Sequence, residues 1–162
     1  MTARMDYVAA TPAGVKALGT VYGHVLGSGL PQTLVTLVYL RISLINGCAY
    51  CIDMHSRELT KLGVSMEKLV LVPVWREAGS MFDARERAAL AWAETVTRVA
   101  DTGIPDEDYN AAAAVFSEKE LADLTIAIGL MNAYNRLAIG FRRPPDSVLA
   151  PTEEPEFAGA AS

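Results

Sequence analysis

Cys48, Cys51 and His55 are the residues whose types and spacing could do chemistry, within the run Asn46-Gly-Cys-Ala-Tyr-Cys-Ile-Asp-Met-His55. The two cysteines are the only ones in the chain, and His55 is one of two histidines. Thiols three residues apart can close a small disulfide ring, and a histidine one helical turn on can move the proton that thiol chemistry requires. On a helix the three side chains would share one face. A helix starting near Cys48 would lay its free amides and positive dipole end beside that thiol, which makes Cys48 the more acidic of the pair on this argument alone.

The same residues admit other readings. Two small buried cysteines would be ordinary core, although their pairing beside a histidine favours redox chemistry. A zinc module would take Cys48, Cys51 and His55 as ligands, with His24, a carboxylate or water as the fourth, but structural zinc usually draws on two separated ligand pairs. A thioredoxin-like motif needs a preceding strand and βαβ surroundings, which the pattern lacks.

The elements that must position this motif read as helical almost throughout. Thr11-Pro12 opens a helix toward Leu26 that stops at Gly27. Pro31-Gln32 opens an apolar helix through Leu44, and Asn46-Gly47 breaks it. The motif helix runs from near Cys48 to Lys61, with Gly63 just beyond. A short segment follows from Ser65 to Val72, and Pro73 forces a kink. Asp83-Ala-Arg-Glu86 is a capping box for a helix to Ala100, and Pro105 starts another toward Phe116. A second capping box, Ser117-Glu-Lys-Glu120, opens a helix toward Phe141. The expectation is a single all-α domain of six to seven helices over residues 1–143, with 144–162 a tail that is disordered or docked on a neighbouring subunit.

The chain has 162 residues, enough for one domain with a sizeable core. Its 51% hydrophobic content and mean hydropathy of +0.22 suggest apolar surface buried between subunits, hence a homo-oligomer. A net charge of −5 without a basic run argues against nucleic acid. No secretory signal pattern follows Met1, and the uncharged stretch Ala17 to Leu40 is too broken by Gly and Pro31 to span a membrane. These features suit a cytoplasmic protein.

The motif, together with Lys61-Leu-Gly63, Trp75-Arg-Glu-Ala78, Glu86-Arg-Ala-Ala-Leu-Ala-Trp92 and Asn132-Ala-Tyr-Asn-Arg-Leu-Ala138, closely resembles the AhpD-like alkylhydroperoxidase family of the carboxymuconolactone decarboxylase superfamily. The resemblance spans about residues 20 to 142. It implies an all-α fold assembled as trimers or hexamers, and a thiol peroxidase or disulfide reductase that needs no metal, flavin or haem. Its partners would be a peroxide substrate and a dithiol reductant. Carried over, Cys51 matches the peroxidatic cysteine that becomes a sulfenic acid, Cys48 the partner that supplies a proton and resolves it, and His55 the relay histidine. The resemblance therefore has Cys51 attack first, whereas the dipole argument makes Cys48 the more acidic.

One position departs from the family pattern. A relay glutamate is common about twelve residues before the first cysteine; here that position is Thr36, and no Asp or Glu occurs between Asp6 and Asp53. The relay would pass to a carboxylate elsewhere, with Asp53, Glu58 and Glu77 as candidates, Asp53 pointing away from the 48/51/55 face. The departure also motivates alternatives: a decarboxylase- or isomerase-like relative, or a redox-sensing oligomer. Tyr50 could line a substrate mouth. Trp75 and Trp92 read as core or interface anchors, His24 as packed or interfacial, and Asn132, Asn135 and Arg136 as residues that fix helix register.

Overall fold

The structure, a computed structural model, describes residues 2–149. These form α1 (Tyr7–Ala10), α2 (Pro12–Leu26), α3 (Gln32–Asn46), α4 (Ala49–Lys61), α5 (Met66–Leu71), α6 (Ala84–Thr97), α7 (Val99–Thr102), α8 (Asp106–Ala113), α9 (Glu118–Gly140) and α10 (Asp146–Leu149), with 3₁₀ segments at Val72–Glu77 and Gly79–Met81. No strand occurs among the described residues, and no helix there is long and apolar enough to cross a membrane.

Seven of the helices, those of six residues or more, account for the expected six to seven. Both capping boxes form: Asp83 caps Glu86, Ser117 caps Glu120, and each glutamate returns to the backbone of its cap residue. The single-turn helices α1, α7 and α10 carry no hydrophobic period that a sequence would display. α1 is instead held by the Asp6 carboxylate, which accepts from the amides of Val8 and Ala9.

Two boundaries differ from expectation. α6 stops at Thr97 because Arg98 leaves helical geometry (φ −100°, ψ 32°), and the Thr102 hydroxyl donates to the Thr95 carbonyl at 2.8 Å, folding α7 back onto the end of α6. α10 lies where the tail was expected to start, with Asp146 facing Arg57 and the Ser147 amide donating to Asp53. Residues 150–162, the rest of that expected tail, lie outside the described residues.

α3 is the central helix. Residues 34–40 are all buried, as suits a helix apolar on every side. Leu34, Val35, Val38 and Ile42 join α2, α6, α8 and α9 in one core cluster, while Leu37 and Leu40 join Leu59, Leu69, Val72 and Leu90 in a second. Each fully buried Leu, Ile or Val contributes about 1.5–3 kcal/mol, so α3 is anchored on both sides before any polar contact is counted. A buried carboxylate adds orientation: Glu94 on α6 accepts from Arg41 Nε and from Trp75 Nε1, each at 2.8 Å, and also pairs with Arg76. Trp75 is therefore a core anchor. Trp92, which donates to Thr125 at 2.9 Å, is another.

Candidate active site

The site begins where α3 ends. Gly47 takes a left-handed conformation (φ 71°), which a residue without Cβ adopts without strain, and the Cys48 amide donates to the Ser43 carbonyl at 2.9 Å. This turn delivers Cys48 as the N-cap of α4, its Sγ accepting from the Cys51 amide at 3.4 Å. Both cysteines are thiols, only 1% and 2% exposed, and their sulfurs lie 2.7 Å apart. That separation leaves only a small movement between the thiol pair and a disulfide.

The two thiols differ in acidity. The hydrogen bond shared by the two sulfurs, opposed by burial and helped by the Cys51 amide, brings Cys48 down to about 7. Cys51 is pushed up because Cys48 holds its proton, with burial and the charge on Cys48 adding to the effect, while Asn135 and Ser43 act against it. The acidity expected at the helix start thus falls on Cys48, by direct hydrogen bonding from Cys51.

His55, one turn beyond Cys51, is 3% exposed. Its ring lies against that of Tyr39 at 5.4 Å between centroids, and Nδ1 faces Glu58 Oε2 at 3.4 Å. His55 Nε2 and the Tyr39 hydroxyl are buried without a hydrogen-bond partner among the described residues. Cys51, His55 and Glu58 line a cavity of about 290 Å³ with Tyr22, Tyr50 and Tyr134. Tyr50, between the cysteines in sequence, is thus a wall of this cavity.

Other neighbours carry no signal in the motif itself. Tyr7 and Val8 of α1 complete one side of the cavity. Arg4 fastens this segment to the end of α9 through the carbonyls of Gly140 and Phe141, and Tyr7 stacks on Phe141 at 5.6 Å. The Arg143 guanidinium lies 4.0 Å from the Tyr50 ring centre and donates to the Tyr7 hydroxyl at 3.3 Å. Cys48 lines a second cavity, on the side of Ile139, Arg142 and Pro144, and Tyr50, Ala138 and Arg143 border both.

The amides of α9 do more than set register. Asn46 donates to Asn132 at 3.0 Å and to Asn135 at 2.8 Å, and Asn135 donates to Ser43 at 3.2 Å. Asn135 and Ser43 are fully buried, and this network binds the end of α3 to α9 beneath the Cys51 thiol. Ser43 could not be singled out by spacing, because it lies in another helix and carries no motif of its own. His24 does not join the thiols: its Nε2 pairs with Asp123 at 2.9 Å.

Comparison with known proteins bears on the family and the fold. A model of the carboxymuconolactone decarboxylase family matches residues 12–95. The chain belongs to that family. Its AhpD-like character, expected from the motif, is supported by an Agrobacterium tumefaciens structure described as a protein of unknown function with a provisional name as an antioxidant defence protein AhpD. That structure is 39% identical, with a TM-score of 0.86, covering 94% of this chain and all of the other. YdfG of Bacillus subtilis, an uncharacterized protein, is 30% identical over 139 residues, or 86% of this chain and 94% of YdfG. The debrominase Bmp8 shares the fold at 19% identity and a TM-score of 0.73, covering 85% of this chain and 74% of its own, so one scaffold hosts more than one chemistry.

Proposed function

We propose that this protein is a thiol-dependent hydroperoxidase, acting through the Cys48–Cys51 dithiol with His55 as proton relay, and that it works as a homo-oligomer. The observation that carries this reading is the 2.7 Å sulfur pair with one member, Cys51, beside His55 at a cavity lined by tyrosines. The apolar, aromatic walls suit an organic hydroperoxide better than hydrogen peroxide.

The resting pair holds one proton, between a Cys48 thiolate and a Cys51 thiol. That proton passes to Cys48 or His55, and the Cys51 thiolate attacks the terminal peroxide oxygen. An S–O bond forms as the O–O bond breaks, sulfur supplies the electron pair, and the alkoxide takes the proton and leaves as an alcohol. The Cys48 thiolate then attacks the sulfenic sulfur of Cys51; the S–S bond forms, and hydroxide leaves as water with a proton from solvent. An external dithiol returns two electrons by exchange, bonding first to Cys48 from the second cavity.

Cys48→Ser and Cys51→Ser test this directly. Both variants are expected to lose dithiol-dependent turnover of cumene hydroperoxide, and Cys51→Ser to lose also the single-turnover alcohol burst that Cys48→Ser retains. Turnover persisting in both would sink the reading. A second reading, a redox-sensing oligomer, is favoured by Thr36 in the relay position; such a protein would be oxidised once by peroxide without cycling when dithiol is present.

A further inference from the structure

Thr36 is 2% exposed at the position on α3 where the family pattern has a carboxylate. The space beside it is not left apolar. Glu58 reaches in from α4, three residues beyond His55, with Oε2 3.4 Å from His55 Nδ1 and Oε1 accepting from Gln32 Nε2 at 3.1 Å. The His55 hydrogen bond, opposed by burial and joined by contacts from Gln32 and Thr36, holds the Glu58 carboxyl below the usual glutamate range. The other two candidates are elsewhere. Asp53 is taken up by Arg57 at 2.8 Å and by the Ser147 amide at 3.3 Å, and Glu77 is exposed in the 3₁₀ segment after α5.

We infer that Glu58 is the positioning carboxylate of the site: from α4 it orients His55 in place of the α3 carboxylate that Thr36 replaces. An ionised carboxylate only accepts hydrogen bonds, so the nitrogen facing it carries the hydrogen. Neutral His55 is then protonated at Nδ1 and presents a lone pair at Nε2. That nitrogen is the buried one without a partner among the described residues, on a side chain that lines the cavity with Cys51. The result is a base with a free nitrogen on a side chain that shares the cavity with Cys51. Moving the carboxylate from a neighbouring helix to the next turn of α4 keeps this geometry and leaves a hydroxyl on α3 as its support. The inference rests on the dithiol reading for its purpose, but not for its geometry.

The tautomer of His55 can be read without any variant, from ¹⁵N chemical shifts of the wild-type protein at neutral pH. Hydrogen on Nδ1 is expected, and hydrogen on Nε2 would overturn the inference. Glu58→Gln, which can offer an N–H to the ring, is expected to move the population toward the Nε2–H tautomer. It should also lower kcat for cumene hydroperoxide at least tenfold with KM within twofold. Adding Thr36→Glu to Glu58→Gln should restore the tautomer and most of kcat. A Glu58 that merely braced α4 against α3 would shift the melting temperature but leave tautomer and kcat unchanged, and that result would refute the assignment. Absence of peroxide turnover in the wild type would count against the hydroperoxidase reading, while the tautomer measurement still decides the role of Glu58.

Discussion

The two thiols divide the work that one activated cysteine does elsewhere. Cys48 gains acidity from the hydrogen bond it shares with the Cys51 sulfur and from the Cys51 amide that it accepts as N-cap, while Cys51 is the thiol that lines the cavity with His55. In the proposed cycle the acidic sulfur and the attacking sulfur are different atoms, a division that accommodates both the dipole argument and the family resemblance. A pH prediction follows from the lowered Cys48. The reactive thiolate is the deprotonated form, so alkylation of the reduced protein by iodoacetamide should level off above pH about 7 and fall roughly tenfold per unit below it. Mass spectrometry should place the first adduct on Cys48. A midpoint near 8.5, that of an ordinary thiol, would show that the Cys51 hydrogen bond does not control the pair.

At the scale of elements, the α3–Gly47–α4 junction decides whether the thiols meet. Ser43 uses its carbonyl for the Cys48 amide and its hydroxyl for Asn135, so one residue ties the turn to α9. Gly47 is the conformational weak point: its positive φ is disfavoured for a side chain, even though a Cβ there would meet no atom within 4 Å. Gly47→Ala should cost about 1 kcal/mol in urea unfolding, and Gly47→Asn less, because asparagine tolerates the left-handed region. An unchanged midpoint for Gly47→Ala would mean that the turn relaxes without consequence.

At the scale of the whole molecule, exposed apolar side chains include Leu62, Met66, Val70 and Val74, spaced four residues apart from the end of α4 through α5 into the 3₁₀ segment. Met66 and Val70 are 64% and 62% exposed, well beyond what an isolated surface methyl requires. Met66 and Val70, one turn apart on α5, are where a contact between copies is expected if the proposed homo-oligomer forms. Light scattering on the eluting protein should give a multiple of the 17.4 kDa chain mass, and Val70→Asp should reduce it with helical circular dichroism intact. A wild-type monomer would remove these residues from that role.

The helices and the motif were legible in the sequence because their signals are local. Caps such as Asp83 with Glu86, breakers such as Gly47 and the unbroken apolar run of α3 act within a few residues of themselves, and Cys48, Cys51 and His55 lie within two turns of one helix. The remainder depends on residues distant in the chain. Tyr7 and Arg143 meet at the cavity mouth across 136 positions, and Asn135 reaches Ser43 across 92. No periodicity encodes such pairs, because they arise only when packing of α3 against α9 brings the helix faces together. The choice of Glu58 among three carboxylates had the same cause. Proximity along the chain made all three available in principle, but only the packing of α4 on α3 placed Gln32, Thr36 and His55 around one of them. The sequence by itself determined the chemistry offered, a dithiol with a histidine on one helix. The tertiary structure decided which carboxylate lies beside the histidine and which residues wall the cavity, since hydrogen bonding and burial act through space.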